Sequence, residues 1–318
     1  PGATAGMAPT VTPWQACTVH AHHHHHPKPG SGSATRAFAA VTLINLAYTV
    51  LEAGYGFAIN SLALLSDALH NLGDVLGLAL AWGAAVLAQR PARGRLTYGW
   101  GRATLLSPLA NGLLIVGFAG ALLWEALRRI AQPPEVPGST VIAVAALGIA
   151  VNLGAAWFVR GGHTHDLNRR GAYLHLMADA AVSLAAVLAG VGMLVFGWAW
   201  LDPAIALLIG VVIAWSAAGL LRESFEAVMD AVPPQVDQAQ VHGFLSGLDG
   251  VRAVHHLHIW RLAAGRIALT AHLVRDPAAD HDAFLRAAAE ALDHRFSINH
   301  ATLQIEHEGA CGGPPAAH

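Results

Sequence analysis

The chain has 318 residues, 54% hydrophobic and only 12% charged, with a formal net charge of -2. Soluble domains carry about 25% charged residues, so this composition excludes an ordinary soluble protein and points to the membrane. No basic run supports nucleic acid as a partner, and two cysteines near opposite ends, Cys17 and Cys311, argue against a disulfide framework.

Residues 1–35 read as a separate, disordered His-rich segment. The run VHAHHHHHPKPGSGS is low in complexity and ends in a Gly/Ser/Pro linker, so it cannot build a core. It fits a purification tag or a natural metal-gathering tail, and no cleavable signal peptide is apparent. Beyond it, six stretches are long enough for a hydrocarbon layer that needs about 20 apolar residues. They run over roughly 37–58, 62–88, 103–127, 140–159, 172–196 and 199–221.

Arginine placement sets the expected topology. Arg90, Arg93, Arg95 and Arg102 lie between the second and third stretches, and Arg160, Arg169 and Arg170 between the fourth and fifth. Arg222 follows the sixth, and Lys28 and Arg36 precede the first. With six spans these all fall on one side, which the positive-inside rule makes the cytoplasm, both termini included. The first link is uncharged and the fifth holds only Asp202; Arg128 and Arg129 depart from the pattern.

The spans form a domain over 36–222, followed by a cytoplasmic α+β domain over 223–308 and a flexible tail over 309–318. The soluble domain reads helix, strand, strand, helix, strand. VHHLHIWRL and RIALTAHLV alternate and are joined by AAG, a hairpin signal. Regular alternation places Leu257 and Ile259 on one face with Leu269, Ala271 and Leu273, and His256, His258 and His272 on the other.

Ionisable residues inside a membrane span are costly and mark function. Glu52, Asp67 and Asp74 are the only charged residues of the first two stretches, and Asp179 is the only one of the fifth. His70 and Asp74 are spaced i, i+4, which puts both on one helix face, and His175 and Asp179 repeat the spacing. Two helices thus offer two imidazoles and two carboxylates, a donor set that suits tetrahedral Zn²⁺. Asp67, one turn before His70, is a possible fifth ligand but reads better as a helix-start residue or an outer acceptor bonded to a ligand. Glu52 is a gate, a proton carrier or a structural hydrogen-bonder; the sequence does not choose. Asn71, Asn111, Asn152 and Ser183 either line a polar path or hold helices together.

NSLALLSDALHNLGDVLGLALAW, TYGWGRA, DLNRRGAYLHLMADAAVS, VHHLHIW and HATLQIE occur in this order over residues 36–308. They resemble the cation diffusion facilitator family in its zinc-transporting branch. The resemblance implies a homodimer of six-helix protomers with metallochaperone-like cytoplasmic domains. It implies that His70, Asp74, His175 and Asp179 form the transport site, with His70 favouring zinc over manganese. It also implies exchange of metal against H⁺, which fits the competition of metal and proton for a neutral imidazole. Of the nine histidines between 242 and 307, the resemblance selects His255 and His272, with Glu306 and then Glu308, as a tentative regulatory zinc site. Glu306-His307-Glu308 stands where some relatives have His-x-Asp. Gly101 and Thr104 replace the His and Glu of many relatives, which argues against a metal site in that loop and leaves Trp100 and Arg102 to packing.

The expectation is a secondary transporter exporting Zn²⁺, or Cd²⁺, Co²⁺ or Ni²⁺, across a bacterial inner membrane. No cofactor is expected, and no Walker, GxSxG or HExxH motif suggests ATP-driven pumping or an enzyme. The alternatives are a metal sensor that binds without translocating, and a haem carrier, against which Asp74 and Asp179 argue.

Overall fold

The computed structural model describes residues 32–160, 167–276 and 280–307, with side chains for 43–158, 172–276 and 280–307. The His-rich run, both cysteines and Glu308 lie outside these residues. Six long helices come first: α1 (Gly32–Ala58), α2 (Leu62–Ala88), α3 (Ala103–Ile130), α4 (Gly138–Arg160), α5 (Leu167–Phe196) and α6 (Leu201–Val228). Five segments, Leu62–Ala88, Ala103–Ile130, Gly138–Phe158, Ala172–Phe196 and Leu201–Val228, are long and apolar enough to cross a membrane. The 27-residue α1 supplies the sixth span, about 40 Å long at 1.5 Å per residue.

Burial in this region runs opposite to that of a soluble protein. Trp157 and Trp215 are 78% and 84% exposed, whereas Glu52, Asp67, Asn152, Ser183 and Asp202 are sealed inside. Apolar side chains on the outside suit lipid tails, and polar groups turned inward avoid them. α4 lies along α5 and α3 along α6, while α2 packs on α3 and α6 and touches α5 over a short crossing. Small residues allow the close approaches: a Cβ on Gly190 of α5 would stand 2.8 Å from Ile142 of α4, and one on Gly210 of α6 would stand 2.8 Å from Leu123 of α3.

The ends of α2 and α3 show why these helices start and stop where they do. Ser61, in extended backbone, accepts from the backbone N–H of Leu64 and caps α2. Arg128 and Arg129, which break the arginine pattern, are held by Glu125 at 3.5 and 2.8 Å in the last turn of α3. Arg129 also donates to the carbonyl of Asn60 at 3.0 Å, so this pair serves a helix C terminus and a turn. The change to charged sequence at Arg222 does not end α6. The helix continues to Val228 through an Arg222–Glu226 pair at 2.9 Å, since charged residues at i, i+4 are good helix formers.

The remaining segment forms the expected α+β unit: α7 (Gln238–Ser246), β1 (Val251–Ala263), β2 (Arg266–Arg275), α8 (His281–Phe296) and β3 (His300–Glu306). β1 and β2 are an antiparallel hairpin closed at Gly265, where φ is +73°. β3 returns through α8 to lie parallel to β2, giving the order β1-β2-β3. Val241 and Leu245 of α7, Leu292 of α8 and Ile259, Leu269 and Leu273 of the sheet make one core. Each such side chain contributes about 1.5–3 kcal/mol by leaving water.

One strand departs from regular alternation. His255 pairs with His272, but the next pair is His258 with Thr270, so His256 and Leu257 form a bulge, with His256 at φ +50°. The extra residue shifts the parity. Alternation counted back from Ile259 would put His255 on the core side; instead it shares a face with His272, and Val254 fills the core side opposite Leu273.

Candidate metal centres

α2 and α5 each present an imidazole and a carboxylate on one face, and the four meet where the helices cross. His70 lies eight residues into α2, about 12 Å from its start, so the cluster sits well inside the span. His175 Nε2 is 3.0 Å from Asp74 Oδ2 and 3.6 Å from Asp179 Oδ2, and His70 Nε2 is 3.3 Å from Asp179 Oδ1. Tetrahedral ligands at the usual zinc distances stand about 3.3 Å apart, and these three spacings lie near that value; His70, Asp74 and His175 each offer an atom within 4.8 Å of the others, a group that does not include Asp179. The two imidazole rings meet edge to face at 5.9 Å. Asp179 approaches both imidazoles, at 3.3 Å from His70 and 3.6 Å from His175. Asp179 is buried and His70 half-buried, whereas Asp74 and His175 are exposed.

Asp67 behaves otherwise than a direct ligand. Its Oδ2 accepts from the Ser183 hydroxyl at 2.9 Å, its Oδ1 has no hydrogen-bond partner, and it hydrogen-bonds none of the four. Tyr48 of α1, which sequence reasoning did not single out, donates to Glu52 at 2.7 Å beside the Val144 carbonyl of α4. The i, i+4 spacing of Tyr48 and Glu52 was the available signal. Asp202 was visible as the only charge of its link, but its partners were not. It accepts from the Ser61 hydroxyl and from the backbone N–H groups of Leu62 and Ala63, which fixes the start of the helix carrying His70 and Asp74.

A second cluster lies on the sheet face away from the core. His255, His272 and Glu306 each offer an atom within 4.8 Å of the others. His255 Nε2 is 3.1 Å from Glu306 Oε2, and His272 Nδ1 is 2.7 Å from Glu306 Oε1 without an in-line N–H for a hydrogen bond. Gln304 steadies Glu306 by donating at 2.9 Å. The bulged His256 brings its ring to 5.2 and 5.0 Å from those of His255 and His272. The 99–104 loop gathers no metal-binding group among the described residues. Its Arg102 pairs with Asp230 at 2.9 Å, and its Thr104 hydroxyl accepts from the backbone N–H of Ala264 at the hairpin tip.

Residues 38–229 match the model of the cation efflux transmembrane domain, and residues 233–308 that of the cation efflux protein cytoplasmic domain. The chain is 33% identical to a cadmium, cobalt and zinc/H(+)-K(+) antiporter of Bacillus subtilis, over 82% of this chain and 85% of that one. It is 35% identical to the metal cation efflux system protein CzcD of Cupriavidus metallidurans, over 81% and 82% of the two chains. It is 35% identical to the zinc transporter ZitB of Yersinia pestis, over 87% and 88%.

Proposed function

This chain belongs to the cation efflux family, and on that premise we propose that it exports Zn²⁺ from the cytoplasm in exchange for H⁺ through His70, Asp74, His175 and Asp179. The observation that carries the reading is the set of 3.0–3.6 Å spacings joining the two pairs across the α2–α5 crossing. Two imidazoles and two carboxylates replace the hydration shell of the ion, and the ion's double charge offsets the cost of keeping the carboxylates inside the bundle. Cd²⁺ and Co²⁺ share much of this ligand preference, in keeping with the names of the relatives.

Exchange follows from the donor chemistry. An imidazole ligates only when neutral, so a proton arriving on His70 or His175 weakens the site and metal binding expels it. If the crossing opens alternately to each side, metal leaving outward is replaced by a proton, and the proton gradient drives export. The protein acts in the inner membrane as a homodimer with both termini cytoplasmic, the arrangement supported by its arginine asymmetry and by the match to a family cytoplasmic domain. Zinc at His255, His272 and Glu306, with Glu308 as a further candidate ligand, biases the transporter toward one of its conformations.

The test is zinc uptake into proteoliposomes under an imposed pH gradient. Wild type accumulates zinc in a gradient-dependent way, and His70→Ala and Asp179→Ala, still folded and dimeric, do not. Zinc flux retained by either variant would contradict the assignment.

A further inference from the structure

The end of α2 and the start of α3 border a groove on the side of the membrane that holds the α+β domain, where Thr104 accepts from the backbone N–H of Ala264. Ala79, Gly83 and Leu87 recur every four residues along one face of α2, and Ala103, Ser107 and Ala110 share a face of α3. These six line a mainly apolar space of about 700 Å³, and Arg95, Tyr98 and Trp100 of the link between the helices complete its wall. Ligand sites usually measure about 300–1,000 Å³. A second cavity of about 360 Å³ shares Trp100 as a wall and is otherwise lined by Arg90, Pro91 and Arg93.

The link is a folded turn. The Leu96 N–H donates to the Arg93 carbonyl at 3.1 Å, and the Gly99 N–H to the Leu96 carbonyl at 3.0 Å. Gly99, at φ +70°, lies so close to the start of the link that a Cβ on it would stand 3.3 Å from the Arg90 carbonyl. This fold holds Arg90, Arg93 and Arg95 together beside the groove. No Asp or Glu occurs over residues 75–124. The three arginines form no ion pair among the described residues, whereas Arg102 is engaged by Asp230 at 2.9 Å.

An apolar groove that ends in unpaired cations, where a helix leaves the hydrocarbon layer, matches an acyl chain joined to a phosphate. Tyr98 and Trp100, both exposed, are the amphipathic rings that favour this depth. We propose that the groove binds one anionic phospholipid of the cytoplasmic leaflet, with an acyl chain along Ala79, Gly83 and Ala110 and the phosphate among Arg90, Arg93 and Arg95. A zwitterionic head group fits less well, because its own cation meets the same guanidinium groups. A protein occupant would have to bring acidic side chains to a surface lying against lipid, whereas the bilayer supplies phosphate at that level. The site stands apart from His70, Asp74, His175 and Asp179, and its existence does not depend on zinc transport.

Native mass spectrometry of the protein in detergent counts bound lipid, with phosphatidylglycerol and phosphatidylcholine of the same acyl chains as probes. Wild type is expected to bind one phosphatidylglycerol per protomer in preference to phosphatidylcholine. Arg93→Gln with Arg95→Gln should weaken that binding by about thirtyfold, the size of two lost cation contacts at an anionic head group. Gly83→Leu fills the groove and leaves every arginine in place. A Cβ on Gly83 meets nothing within 4 Å, and leucine is the better helix former, so this variant keeps its fold. It is expected to lose the single tight lipid as well. Equal binding of the two lipids by wild type overturns the proposal. A preference retained in Gly83→Leu and lost only with the arginines also overturns it, because diffuse surface charge then suffices. If Gly83→Leu keeps the preference and is monomeric, the groove belongs to a second copy of the chain.

Discussion

The Ser61 hydroxyl donates to the carboxylate of Asp202, joining the start of α2 to the first turn of α6. The same carboxylate takes the backbone N–H of Leu62 at 2.7 Å and of Ala63 at 3.3 Å, so it satisfies orphan donors of α2 and sits at the positive end of its dipole. Asp202→Ala leaves these donors buried without a partner, a cost of about 1–3 kcal/mol. Thermal unfolding in detergent will show the loss, and zinc flux will fall with it because His70 and Asp74 ride on α2. Asp202→Asn, which keeps an acceptor, is expected to lose less; equal losses would argue against a capping role.

Gly148 of α4 makes room for Tyr48. A Cβ there would overlap the Tyr48 hydroxyl and stand 3.1 Å from Ser183 Oγ. Gly148→Ala is therefore expected to destabilise by about 1–3 kcal/mol through overpacking. Tyr48→Phe removes the obstructing oxygen, so the double variant should be more stable than the sum of the single effects. A double-mutant cycle on unfolding checks this, and strict additivity would mean that the two residues do not meet.

Zinc affinity at the α2–α5 crossing is expected to fall as pH falls. Each imidazole must be neutral and each carboxylate ionised to bind, so lower pH adds competing protons and higher pH removes them. Equilibrium zinc titrations at several pH values, with proton release followed in the same cell, measure the effect. Affinity that is flat or rises toward acid would exclude imidazole ligation.

The bulge in β1 should tolerate glycine and reject β-branched residues. His256 sits at φ +50°, a conformation that costs a non-glycine side chain about 1–2 kcal/mol. His256→Gly is expected to leave unfolding of the cytoplasmic domain unchanged or slightly improved, and His256→Val to lower it. Zinc bound by His255, His272 and Glu306 should survive His256→Gly; its loss would add His256 to the ligand set.

The spans, the two i, i+4 pairs and the secondary structure of the C-terminal domain were legible because each depends on local periodicity. The pairing of Asp74 with His175, and of Asp67 with Ser183, joins residues about a hundred apart, and spacing along one helix cannot say which faces meet. The bulge at His256 was hidden for another reason. VHHLHIW reads equally well as a regular strand, and only the left-handed turn of one histidine moves His255 to the face of His272. Asp202 was visible as a lone charge in an uncharged link, but its partners are backbone groups of another helix, and the sequence does not encode backbone donors as residue types. Glu52 was left between three roles because its geometry depends on where α1 packs.

X-ray absorption at the zinc edge tests the central claim most directly. The sample is protein carrying His255→Ala and His272→Ala, with alanine also in place of His20 and of the five histidines over 22–26, which removes the ligands of the cytoplasmic cluster and of the His-rich run. The account predicts one bound zinc per protomer with two nitrogen and two oxygen neighbours at about 2.0–2.2 Å, lost when His70→Ala is added. A six-coordinate all-oxygen shell, or zinc retained at full occupancy after His70→Ala, would contradict it.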